Sequence, residues 1–170
     1  MILRKLQLQD APFMYEWMTS KDVNKYFRFD PKKVSLDSCR EFIKNSFSDT
    51  EKNYAIDENG EYIGTVSLKH IDYHDLNAEY AISLREKYRK MGYGFNATKE
   101  ILKIAFEELK LNKVYLNVLS SNENATRMYE KIGFVYEGEL KNHIKIGDTF
   151  RNLKLYGIWR DDYEKKYKDN

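Results

Sequence analysis

NAEYAISLREKYRKMGYGFNA, running from Asn77 to Ala97, is the stretch from which the rest of the chain is read. Ala78 to Leu84 has the apolar and β-favouring character of a strand. Arg85 to Lys90 then carries four cations and one anion, and Gly92 and Gly94 remove two Cβ atoms where backbone has to approach a ligand closely. Phe95, Ile101, Leu102, Ala105, Phe106 and Leu109 follow along one helical face. A strand, a basic glycine-punctuated turn and a helix, in that order, make a recipe for holding phosphate. The unpaired N–H groups of the helix start point into the turn, and the helix dipole favours an anion there.

Upstream, Ile2, Leu3, Leu6 and Leu8 alternate with polar residues as a first strand, and Asp10 with Pro12 reads as a cap followed by an early helical proline. Phe13, Met14, Trp17 and Met18 repeat at helical spacing, and a second helix begins at Ser35 with Leu36, Cys39, Phe42, Ile43 and Phe47 on one side. Tyr54 to Ile56 and Tyr62 to Ile71 read as strands joined by a hairpin, because Asn59-Gly60 favours the positive φ angles of a tight turn. Downstream, Lys113 to Val118 is a strand and Ser121 to Ile132 a short helix ended by Gly133. Phe134 to Leu140 and Thr149 to Trp159 close the chain as strands around Lys145 to Asp148, leaving a polar tail from Arg160 that reads equally as helix or as frayed end.

The 170 residues fit one domain, 1–170, with a substantial core. A net charge of +2 gives neither a nucleic-acid footprint nor a membrane-surface patch. One cysteine, Cys39, excludes an intramolecular disulfide, and His70, His74 and His143 offer no paired metal spacing, so no metal is expected. The start has no apolar run long enough for a signal peptide, which makes the cytoplasm the default location.

Asn122 to Phe134, NENATRMYEKIGF, supplies a second motif. Its N-x-x-A-x-x-x-Y-E-K-x-G-F pattern, together with Arg89-x-x-Gly92-x-Gly94 behind a strand, resembles the GNAT family of N-acetyltransferases in both order and spacing. The resemblance covers essentially the whole chain. It implies an α/β (α+β) fold with a mixed sheet of about seven strands, helices on both faces and two central parallel strands that splay apart beyond a bulge in the first. Acetyl-CoA, with no metal, is the implied acetyl donor and a primary amine the implied acceptor.

By the same resemblance, main chain at Ile82 and Leu84 holds the thioester arm, and Arg89, Lys90, Met91, Gly92, Tyr93 and Gly94 wrap the pyrophosphate. Asn122 matches a position that contacts the cofactor arm, with Asn117 and Asn124 as weaker nominations. For each asparagine a helix cap or local turn bond is an equal alternative. Tyr129 matches the acid that protonates the departing thiolate, and Glu79 the carboxylate that takes the amine's proton through water. The alternative readings are a half-buried core tyrosine and a solvent-facing strand carboxylate.

Tyr15-Glu16-Trp17, Asp22 to Phe27 and Glu137 to Leu140 are similar to the branch containing ribosomal-protein N-terminal, spermidine and nucleotide-amino-sugar acetyltransferases. Asp22, Asp30, Asp37, Glu41 and Asp49 are offset by Lys21, Lys25, Arg28, Lys32 and Lys33, which argues for a small amine such as an amino-sugar nucleotide over a polyamine or peptide N-terminus. Tyr26, Phe27, Arg28, Phe29 and His143 are the residues expected to receive it. Two other classes stay open. Gly92-x-Gly94-x-x-Ala97 also fits a dinucleotide-binding oxidoreductase, and the fold could serve as a non-catalytic CoA-binding module. Exposed edges of the late strands offer a surface through which two copies could form a homodimer.

Overall fold

Seven strands form from the alternating segments: β1 (Ile2–Lys5), β2 (Lys52–Glu58), β3 (Glu61–Asp72), β4 (Asn77–Leu84), β5 (Lys113–Leu119), β6 (Val135–Ile146) and β7 (Thr149–Trp159). The computed structural model describes residues 1–20 and 30–168. The strands make one sheet in the order β1-β2-β3-β4-β5-β7-β6, antiparallel throughout except where β4 meets β5. The β2–β3 hairpin turns on Asn59 and Gly60 with φ of 54° and 86°, as that dipeptide predicts.

Among the described residues five α-helices flank the sheet: α1 (Ala11–Met18), α2 (Leu36–Lys44), α3 (Tyr93–Lys103), α4 (Glu123–Ile132) and α5 (Arg160–Tyr167). Strand alternation divides the core between the two faces. Ile56, Ile63, Val66, Tyr80, Val114 and Leu116 pack with Ile101 and Leu102 of α3, Ile132 of α4 and Tyr163 of α5. Ala55 and Tyr62, one residue out of phase, pack instead with Met14 and Trp17 of α1 and Cys39 and Ile43 of α2. The polar tail is helical because Tyr163 stacks against Phe106 at 5.0 Å and Tyr167 donates to the Ile132 carbonyl at 2.7 Å.

The first strand is shorter than its alternation suggests, and Asp10 stands at the N-cap of α1 with Pro12 in its first turn, as expected, but uses its side chain elsewhere. β1 stops at Lys5, and Leu8–Asp10 form a 3-10 turn. Asp10 makes no side-chain cap on α1. Both its oxygens accept from Arg4, each at 2.8 Å, and one also accepts the Gln7 N–H. Arg4 Nε donates to Asp57 on β2 at 2.7 Å. A guanidinium largely removed from water needs this much compensation, and Asp10 is more valuable to it than to a helix end already closed by a proline. Removing one partner of such a group strands a buried charge. Asp10→Ala is therefore expected to lower the unfolding free energy by roughly 3 kcal/mol, read as a lower midpoint in urea at unchanged slope.

Candidate active site

β4 and β5 are in register at three rungs only, Asn77 with Lys113, Ala78 with Val114 and Glu79 with Tyr115. Beyond Glu79, β4 stays paired to β3 as far as Leu84 opposite Gly64, and β5 stays paired to β7 as far as Leu119 opposite Leu153. Each strand keeps its outer neighbour and loses its inner one. The result is a slot through the sheet whose two backbone edges have no ladder partner and await one. The expected bulge is displaced by one strand: β4 keeps an unbroken register from Leu84 to Glu79, whereas Lys69 pairs with Glu79 and Asp72 with Asn77, leaving an extra residue on β3. A bulge there bends the β3–β4 ribbon as a unit, so β4 can leave β5 with its own backbone regular.

Ile82 and Leu84 border the slot, and the basic turn closes its end. Gly92 precedes α3 with φ of 86°, and a Cβ built there meets nothing within 4 Å. Its glycine answers to backbone conformation, not to crowding. Gly94 is the reverse case, since an added Cβ would lie 3.3 Å from Met128 Sδ and 3.4 Å from Leu84 Cδ1. It lets α3, α4 and β4 converge at the slot.

The four cations of the turn do not act together. Arg85, only 4% exposed, turns back to donate to Glu16 at 3.1 Å, Glu61 at 3.1 Å and the Tyr62 carbonyl at 3.0 Å, with its guanidinium 4.6 Å from the Phe13 ring centroid. Lys87 pairs with Glu61 at 2.8 Å. Arg89 and Lys90 remain at the turn, with Arg89 Nε donating to the Leu84 carbonyl at 3.2 Å. Met91 is exposed, and Tyr93 meets Tyr88 edge to face at 5.9 Å.

Tyr80 and Thr98, which sequence reading passed over, tie this turn to the strand. Thr98 Oγ1 donates to the Gly94 carbonyl at 2.6 Å and has one proton, so at 2.7 Å it must accept from the Tyr80 hydroxyl. Tyr129 packs edge to face on Tyr80 at 5.8 Å and on Phe134 at 5.7 Å. It is 7% exposed, and burial pushes its phenol well above the ordinary tyrosine range. Its hydroxyl makes no hydrogen bond to any described residue, so of two adjoining phenols only this one keeps an uncommitted proton among the described residues.

Glu79 points to the opposite face, where its register partner is Lys69. Asn117 Nδ2 donates to Glu79 Oε1 at 3.2 Å, so Asn117 belongs to the carboxylate's side of the slot. Asn122 uses its side-chain oxygen to cap α4 through the Ala125 N–H at 3.3 Å, and Asn124 is exposed and accepts from Arg127.

On the Glu79 face a cavity of about 320 Å³ opens between α1, α2 and the β3–β4 ribbon, with Met14, Trp17, Phe42, Ser67, Lys69 and Ala81 among its walls. These apolar residues read as packing because a cavity wall and a core share the same helical spacing. Tyr26, Phe27, Arg28 and Phe29 lie outside the described residues. His143 lies exposed on β6, the edge strand two places beyond β5, and no described contact brings it to the slot.

The polar bridge under the turn can be tested directly. Thr98→Val keeps the shape but leaves the buried Tyr80 hydroxyl without its acceptor and the Gly94 carbonyl without this donor. The unfolding free energy is expected to fall by about 1–3 kcal/mol, measured by chemical denaturation.

The acetyltransferase (GNAT) domain family matches residues 1–135. Spermidine N(1)-acetyltransferase of Escherichia coli (strain K12) is 28% identical over 166 residues, covering 98% of this chain and 89% of the relative. Acetyltransferase PseH of Campylobacter jejuni is 24% identical over 143 residues, covering 84% of this chain and 87% of the relative. The crystal structure of spermidine N-acetyltransferase from Vibrio cholerae in complex with CoA and spermine superposes with a TM-score of 0.88 at 27% identity, covering 95% of this chain and 96% of that one. Among the described residues no helix is long and apolar enough to cross a membrane. With its seven-stranded order, its split between β4 and β5 and its two motifs in place, the chain belongs to the GNAT acetyltransferase family and is an N-acetyltransferase.

Proposed function

We propose that the chain moves the acetyl group of acetyl-CoA directly to a primary amine of the polyamine class. The end-to-end likeness to spermidine acetyltransferases carries the acceptor half of this reading. It reverses the order expected from the sequence, in which an amino-sugar nucleotide stood first. The slot supports the transfer half, because Tyr129 packs on Tyr80 of β4 on one face of the sheet and Glu79, held by Asn117, lies on the other.

In this reading the backbone edges of β4 at Ile82 and Leu84 pair with the amides of the cofactor arm. Arg89 to Gly94 hold the diphosphate through backbone N–H groups and the two remaining cations. An acceptor ammonium with a lysine-like pKa of roughly 10.4 loses a proton towards Glu79 and attacks the thioester carbonyl. A backbone N–H at the slot edge stabilises the oxyanion. The carbon–sulfur bond then breaks, and Tyr129 protonates the thiolate.

An amino sugar is the second reading. One observation favours it: the cavity walls named above include the cation Lys69, and among the described residues that line the cavity none is a carboxylate, unlike what a polycation would seek.

Thiol release from acetyl-CoA with mass detection of products, over spermidine, spermine, amino-sugar nucleotides and short peptides, separates these readings. The expected result is a kcat/KM for the polyamines higher by about tenfold or more, a difference of roughly 1.4 kcal/mol. A preference of that size for an amino sugar would move the assignment to the second reading.

Tyr129→Phe is expected to lower kcat by about 10² to 10⁴ while leaving CoA affinity near that of the parent. Because burial raises the phenol, its proton is retained through neutral and mildly alkaline solution and is lost only as pH climbs above the ordinary tyrosine value of about 10. Any decline in kcat below that pH should therefore survive in Tyr129→Phe.

A further inference from the structure

The bulge in β3 is costly for the ladder and sits beside the slot, which raises the question of what it positions. The extra residue lies at His70-Ile71, and His70 adopts φ of 49°, a left-handed conformation uncommon for a residue other than glycine. Regular alternation would send the residue after Lys69 to the face opposite Glu79. The irregularity instead brings His70 Nε2 to 3.5 Å from Glu79 Oε2.

The two carboxylate oxygens thus have different neighbours. Oε1 accepts from Asn117 and is fixed, whereas Oε2 faces the imidazole. Lys69 stands across the ladder from Glu79, and Tyr115 occupies the neighbouring rung of β5. The Tyr115 phenol is raised by burial and then by the Glu79 charge, so that charge is felt locally. The two side chains also differ in access to water: Glu79 is 26% exposed and His70 is 68% exposed.

Proton accounting gives this pair a task. On its way to an amide the acceptor ammonium gives up two protons, one before attack and one from the tetrahedral adduct. One of them ends on the CoA sulfur and the other must reach solvent. A carboxylate is ordinarily too weak a base to hold that proton for long at neutral pH. An imidazole, ordinarily titrating near 6.5, stores it more readily and can release it to water.

Building on the reading of Glu79 as proton acceptor, we infer that His70 is the next station of a relay: its Nε2 takes the proton from Glu79 Oε2 and its exposed ring passes it to bulk water. His70 touches Glu79 and not the substrate, so it is a positioning residue in a proton path, and the β3 bulge is the feature that puts it there.

The test compares the parent enzyme with His70→Gln, His70→Ala and Glu79→Gln, following thiol release from acetyl-CoA with the preferred amine between about pH 5.5 and 9. His70→Gln is expected to lower kcat by about tenfold or more near neutral pH. The gap to the parent should narrow toward the acid end of that range, where a protonated imidazole can no longer accept. Added imidazole should restore His70→Ala in a concentration-dependent way. A His70→Gln enzyme with parental kcat throughout would overturn the relay. So would a loss that is constant with pH and insensitive to imidazole, since a residue that merely braces the strand would behave that way. If Glu79→Gln loses rate and His70→Gln does not, the relay alone fails; if Glu79→Gln keeps full rate, the Glu79 reading fails and takes the relay with it.

Discussion

Three rungs between β4 and β5, and no more, are the constraint on which the rest of this molecule depends. A closed sheet would separate its two faces completely, because backbone ladders leave no passage for a substrate. Here Tyr129 approaches from the α3–α4 face and Glu79 from the α1–α2 face. Neither could serve the same carbonyl carbon unless the sheet opened between them. The split also supplies two strand edges whose hydrogen-bonding capacity is unfilled, and an extended ligand with amides along its length is the natural occupant.

An opening of this kind is stable only if both of its banks are held from outside. β4 remains laddered to β3 and β5 to β7 over their full divergent lengths, so each bank belongs to its own antiparallel ribbon. The far end is braced by polar contacts that differ in kind. Tyr80, Thr98 and the Gly94 carbonyl form a buried chain that joins β4 to the first turn of α3. Arg85 fastens the start of the basic turn to α1 and β3 through Glu16 and Glu61. A cation counted in the basic turn therefore works as a rivet, because burial at 4% exposure demands carboxylates close at hand.

How much of this is legible in the sequence depends on how far apart the cooperating residues lie. Asn59-Gly60, Gly92-x-Gly94 and the Asn122 to Phe134 segment announce themselves because the geometry they require is local: a positive φ, a close approach, a capped amphipathic helix. Fold class and family follow from these. The cap position of Asp10 is legible but its side-chain partner, a guanidinium six residues away, is not, and the same holds for Arg85, whose partners are on α1 and β3. In the run from Lys69 to Asp72 the one hint of a bulge is His70, a residue type enriched in left-handed backbone, and that signal is too weak to place one. Trp17 and Phe42 look like core because they are core on one side and cavity wall on the other.

The proposal that Tyr129 is the proton donor raises an energetic question. Its neighbour Tyr80 is equally aromatic and even more buried, yet Tyr80 already donates to Thr98, so a proton drawn from it would break the brace beneath the turn. Tyr129 can give its proton without structural cost among the described contacts. Burial raises its phenol, which taken alone makes donation to a thiolate, ordinarily near 8.5, more uphill. A thiolate formed beside that phenol, in the proposed mechanism, would pay a similar penalty for carrying charge away from water. Burial lifts donor and acceptor together, so the gap between them widens less than either value suggests. A buried phenol beside a buried sulfur would thus be a workable pair, with Tyr80 and Phe134 packed edge to face against the donor ring.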